Sequence, residues 1–79
     1  MRVISSNGNI NVPYENYMFE LHVEDDHKTA CITVMSFKGN RVLGEYPVEQ
    51  ARQIFNELIA SGKRQLNVYR MPKEEVPWS

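Results

Sequence analysis

The sequence predicts an α+β domain: an antiparallel β-sheet, built from a meander plus an N-terminal hairpin, with one amphipathic helix packed on one face. Three observations predict it. Ala51, Ile54, Phe55, Leu58 and Ile59 recur at i, i+3, i+4, i+7 and i+8, which lines them along one side of a helix over residues 47–63. Residues 17–23, YMFELHV, alternate apolar and polar with the period of a half-buried strand. Asn7-Gly8, set between two short β-prone stretches, is a strong hairpin signal.

In chain order, residues 2–5 form a first strand and Asn7-Gly8 a two-residue type I′ turn. That turn sets Val3 opposite Val12 and Ser5 opposite Ile10, with Ile10, Val12 and Tyr14 on one face of the second strand. Pro13 lacks an N–H, so this strand belongs at an edge or ends there. In the third strand Tyr17, Phe19, Leu21 and Val23 point one way, and Met18, Glu20 and His22 the other. Residues 24–28, EDDHK, make a polar turn. Residues 29–37 follow as a strand apolar on both faces, Ala30, Ile32 and Val34 against Cys31, Met35 and Phe37, as for a central strand covered on both sides.

Residues 38–41 read as a tight turn around Gly39, and residues 41–46 as the last strand of the meander. Gly44 within it marks a bulge or a close approach by the helix. Pro47 suits the first helical turn, Gly62 a left-handed C-terminal cap, and Lys63 and Arg64 the negative end of the dipole. Residues 65–71 form a final strand, which a crossover through the helix can set parallel to an earlier one. The order is β-β-β-β-β-α-β, with residues 1–72 as one domain and 73–79 as a tail.

The chain of 79 residues is near the lower limit for a core without staples. A net charge of -1 argues against a general nucleic-acid coat protein, while leaving room for a local basic patch. The single cysteine, Cys31, cannot form an internal disulfide, and no apolar run suits a signal peptide or membrane span, so the expected location is the cytoplasm.

The opening M-R-x-I-S-x-x-G-x-x-x-V-P-Y-E is carried by Met1, Arg2, Ile4, Ser5, Gly8, Val12, Pro13, Tyr14 and Glu15. It resembles a group of short uncharacterised proteins of Gram-positive bacteria and their prophages. L-G-E-Y at residues 43–46, ahead of an amphipathic helix, and Y-x-M-P at Tyr69, Met71 and Pro72 are similar to the same group. The resemblance touches both ends and the middle of the chain. It implies a bacterial or phage setting and a small single domain, and it supplies no site residues.

The ligand types cluster at His22, Glu24, Asp25, Asp26 and His27, but no spacing there matches a recognised metal site, and a solvated turn explains the acids better. Cys31, between Ala30 and Ile32, reads as a small buried hydrophobe rather than a nucleophile. Asn7-Gly8 lacks the pattern of a phosphate loop. Lys38, Arg41, Lys63, Arg64 and Arg70, with Tyr14, Tyr17, Tyr46 or Tyr69 for stacking, form a nucleic-acid surface only if the fold gathers them. Trp78, in the closing V-P-W, is expected to dock on its own domain or to sit in a disordered tail, with anchoring of a partner as the alternative.

No catalytic, cofactor-binding or metal-ligating residue is therefore expected. The expected function is that of a non-catalytic, phage- or mobile-element-associated interaction or self-associating protein, working through a sheet edge or the Trp78 tail. The alternative is a nucleic-acid-associated regulator using a basic and aromatic patch.

Overall fold

The computed structural model describes residues 1–74. Its strands are β1 (Arg2–Ile4), β2 (Asn11–Pro13), β3 (Met18–Val23), β4 (Thr29–Ser36), β5 (Gly39–Pro47) and β6 (Val68–Arg70), with α1 (Val48–Lys63) between the last two. The α+β class and the element order are those expected. Hydrogen bonding divides the strands into two three-stranded sheets, β2-β1-β6 and β3-β4-β5. The second is the antiparallel meander, and α1 lies against all three of its strands. In the first, β1 pairs antiparallel with β2 and parallel with β6, so the crossover through α1 brings the chain's last strand beside its first.

The N-terminal hairpin keeps the expected register, Val3 opposite Val12, but not the expected turn. Only Gly8 takes a positive φ, of 79°, and its N–H donates to the Ser5 carbonyl at 3.0 Å. Asn7 contributes its side chain instead: its Oδ1 accepts from Ser5 Oγ at 2.7 Å and from the Asn9 N–H at 2.9 Å. The loop thus satisfies its polar groups through an Asx-type contact rather than a type I′ backbone. A short 3₁₀ turn, Tyr14–Asn16, then leads into β3.

The core is one cluster shared by both sheets and the helix, with Val3, Ile32, Leu43, Tyr46 and Leu58 essentially without solvent exposure. The helix buries Ala51, Ile54, Leu58 and Ser61. Phe55 and Ile59 of the expected face lie half-buried at its flank. On β4, Ala30, Ile32 and Val34 meet this core. Leu43 is the extra residue of a β-bulge, since Ile32 pairs with Gly44 and Thr33 with Val42. Gly44 answers to that bulge and to the Tyr46 ring, 2.5–2.8 Å from where a Cβ would stand; it is this ring and not the helix that makes the close approach.

The two ends of α1 differ from the sequence expectation. Pro47 is the N-cap, outside the first turn, and β5 runs into the helix without a loop. Gly62 lies inside the helix, and the left-handed residue is Gln65, at φ 58°. The N–H of Gln65 donates to the Gly62 carbonyl and that of Leu66 to the Ser61 carbonyl, each at 3.2 Å, which is the bonding pattern of a Schellman cap. Gly62 is required instead by the Tyr14 ring, which occupies the place a Cβ would take. Tyr14 in turn stacks on Phe19, with centroids 5.4 Å apart.

Exchanging the two roles has opposite effects. Gln65→Gly removes the left-handed penalty and is expected to stabilise the fold by about 1 kcal/mol. Gly62→Ala gains helix propensity but drives a methyl group into the Tyr14 ring, for a net loss of about 1–3 kcal/mol. Chemical denaturation of the two variants checks both signs; a stabilised Gly62→Ala contradicts the packing role.

Candidate functional site

The alternation of β4 carries Cys31, Thr33 and Met35 to the side of the meander away from α1. The sequence reads β4 as covered on both faces; the described residues cover only one. The second face shares its surface with Met18, Glu20 and His22 of β3 and with Val42 and Glu45 of β5. Met18 is 67% exposed and Val42 51%.

The turn beyond β4 also sits earlier than expected. Ser36 pairs with Gly39, whose φ is 113°, so Phe37 and Lys38 form the turn tip. Ser36 Oγ donates to the Gly39 carbonyl at 2.8 Å and accepts from the Lys38 N–H at 3.3 Å, which holds the turn. Phe37 is consequently fully exposed rather than the last residue of a strand. It stands between two shallow grooves. One is lined by Pro13, Asn16, Tyr17, Met18 and Met35, the other by Ile10, Val12, Tyr17, Lys38 and Arg41. Such an aromatic on an apolar surface has the composition of a contact anchor.

At the opposite end of the same face lies a group of donors that the sequence scatters. Glu24, Cys31 and Glu45 bring their ligand atoms within 4.8 Å of one another. The Cys31 thiol donates to Glu24 Oε1 at 2.9 Å, and Glu45 Oε2 lies 3.6 Å away as a second acceptor. Burial first, then the Glu24 hydrogen bond and the charges of Glu24 and Glu45, push the thiol up to about 12. A thiol so held is a poor nucleophile at neutral pH, and a cation would have to displace its proton before these three groups could ligate. His22 is the cross-strand partner of Cys31 but stands outside this donor group, as does His27. Asp26 accepts from the backbone N–H groups of Lys28 at 2.8 Å and Thr29 at 3.3 Å, which hold its carboxyl below the usual range. Residues 24–28 thus serve the turn, with His27 left-handed at φ 58°.

The basic residues named from the sequence fall on different elements. Lys38 and Arg41 share the second groove with Phe37 and Tyr17, whereas Lys63 and Arg64 end α1 and Arg70 sits in β6. Of the tyrosines, Tyr46 is buried, with its hydroxyl donating to the Pro72 carbonyl, and Tyr69 is half-buried; burial pushes each up to about 12. Glu74, beyond the expected domain boundary, accepts from Ser6 Oγ at 2.9 Å and from the Glu45 N–H at 3.1 Å. Trp78 lies outside the described residues. Among those described, no helix is long and apolar enough to cross a membrane.

Compared with known protein families, curated proteins and solved structures, the chain matches none.

The thiol makes stability depend on alkaline pH. Its folded value lies above that of an unfolded cysteine, so its contribution is complete below about pH 8 and is lost as pH rises toward about 12. Tyr46 and Tyr69 act with the same sign from about pH 10 upward. Denaturation midpoints are expected to hold up to about pH 8 and then fall, with Cys31→Ser removing the earliest part of the fall. A flat profile, or rapid alkylation of the native thiol at neutral pH, contradicts this environment.

Proposed function

We propose that this chain is a small non-catalytic, self-associating protein whose contact surface is the side of the β3-β4-β5 meander away from α1. One observation carries the reading: β4 is apolar on both faces, and the described residues cover only the face built on Ala30, Ile32 and Val34. Met18, Val42 and Phe37 remain exposed on or beside the other, around Met35. Burial of this apolar surface is favourable at roughly 25 cal/mol per Å² before the costs of association are met. A phage or other mobile-element origin is part of the proposal and rests on the sequence resemblance alone; a cytoplasmic setting, also proposed, rests on the single cysteine and the lack of an apolar run fit for a span.

A second reading has its own observation. Lys38 and Arg41 line one groove with Phe37 and Tyr17, a pairing of cations with one exposed and one half-buried ring that suits single-stranded nucleic acid. Its weakness is the distribution of charge, with two cations in the groove and a net charge of -1 on the chain.

Sedimentation from micromolar to millimolar concentration tests the first reading. The wild-type chain is expected to associate, and Phe37→Ser to weaken association roughly tenfold while leaving the fold intact, since Phe37 is outside the core. A wild-type chain monomeric throughout overturns it. Binding of labelled single strands that weakens steeply with salt, and is lost in a Lys38→Glu/Arg41→Glu variant, selects the second reading instead.

A further inference from the structure

Among the described strands, only β3 leaves a long edge open. The edge of β5 is occupied at two points: the Ser6 N–H donates to the Leu43 carbonyl at 2.8 Å, and the Glu45 N–H is taken by the Glu74 carboxylate. β2 and β6 are each three residues long, and β2 ends in Pro13. β3 runs six residues, Met18–Val23, without proline, lysine or a bulge, the usual devices that blunt an edge.

The direction of its free groups follows from the pairing. The Glu24 N–H donates to the Thr29 carbonyl at 2.9 Å, so that at this end of the ladder the even-numbered residues of β3 face β4. The register is regular from Val23↔Ala30 to Met18↔Met35. By the alternation of an antiparallel ladder, the N–H and C=O groups of Phe19, Leu21 and Val23 point away from the sheet. The Val48 N–H bonded to the Lys28 carbonyl at 3.0 Å gives the same phase from the other side of β4, because it turns the even-numbered residues of that strand toward β5.

We propose that β3 pairs antiparallel with β3 of a second copy, in the register that sets Leu21 opposite Leu21, joining two meanders into one six-stranded sheet. This rests on the self-associating reading above and adds the β3 edge as a second contact beside the open face. In antiparallel pairing, residues directly opposite share a face, which limits the choice to registers two residues apart. Centred on Leu21, the pairing sets Phe19 against Val23 and Glu20 against His22 of the other copy, twice by symmetry. It also matches all three outward-facing residues of each strand with those of its mate. Centred on Glu20, it would oppose the two Glu20 carboxylates; centred on His22, it would oppose Glu20 to Glu24. Like charges directly opposite destabilise a strand pair. The Leu21 register alone of the three puts a carboxylate opposite an imidazole. It also covers the half-buried flanks of Phe19, Leu21 and Val23, and makes the two open faces of the meanders continuous.

Cysteine cross-linking in a Cys31→Ser background reads the register, since Cys31 would otherwise compete as the partner of position 22 within one chain. Mixing Glu20→Cys and His22→Cys chains under mild oxidation is expected to give the mixed disulfide dimer. Glu20→Cys alone is expected to stay reduced, because its own copy lies diagonally displaced. In sedimentation, Glu20→Lys is expected to weaken association roughly tenfold and the exchange Glu20→Lys/His22→Glu to restore it. A disulfide dimer of Glu20→Cys alone, or association indifferent to both charge variants while still lost in Phe37→Ser, overturns the edge pairing and leaves the self-associating reading standing. A wild-type monomer overturns both.

Discussion

Ala51, Ile54 and Leu58 of α1 pack with Ala30, Ile32 and Val34 of β4, and the rest of the molecule is arranged around that contact. A helix of sixteen residues has one apolar stripe, and a stripe covers one face of a sheet. The other sheet extends the same core from the side: Val3 enters it from β1, and Ile10 and Met71 from the residues just before β2 and just after β6. Nothing among the described residues covers the second face of β4. The composition of that face, with methionines, a valine and a fully exposed phenylalanine beside it, follows from having a central strand and only one helix.

The molecule treats its strand edges unequally. β5 is engaged at two points of its outer edge, by the hairpin loop at the Leu43 carbonyl and by a carboxylate at the Glu45 N–H. β2 is short and ends at a proline. Among the described strands, β3 has the longest uninterrupted row of backbone groups turned away from its own sheet, and the side chains flanking that row are self-complementary in charge in one register. An open edge without blunting devices is a liability in a monomer and an asset in an assembly.

Cys31 shows how local chemistry can mislead when read from residue type alone. A thiol beside two carboxylates has the elements of a ligand set, yet burial and the donated hydrogen bond to Glu24 hold its proton in place. The same negative surroundings that would attract a cation disfavour the thiolate that would bind it. What the group does as it stands is satisfy a buried S–H on an otherwise wet face.

Local pattern was enough for the helix, the alternation of β3, the class of fold and the Val3–Val12 register, because each depends on residues a few positions apart. The roles of the glycines were not readable in that way. A glycine near a helix end serves equally as a cap or as room for a neighbour, and only the position of the Tyr14 ring, 48 residues earlier in the chain, decides for Gly62. Once that glycine was taken for packing, the left-handed turn fell to Gln65. The division into two sheets, the parallel pairing of β6 with β1, the meeting of Glu24, Cys31 and Glu45, and the exposure of Phe37 all arise from contacts between distant parts of the chain. Sequence periodicity marks which faces are apolar; only the finished packing determines which of them a single helix is able to reach.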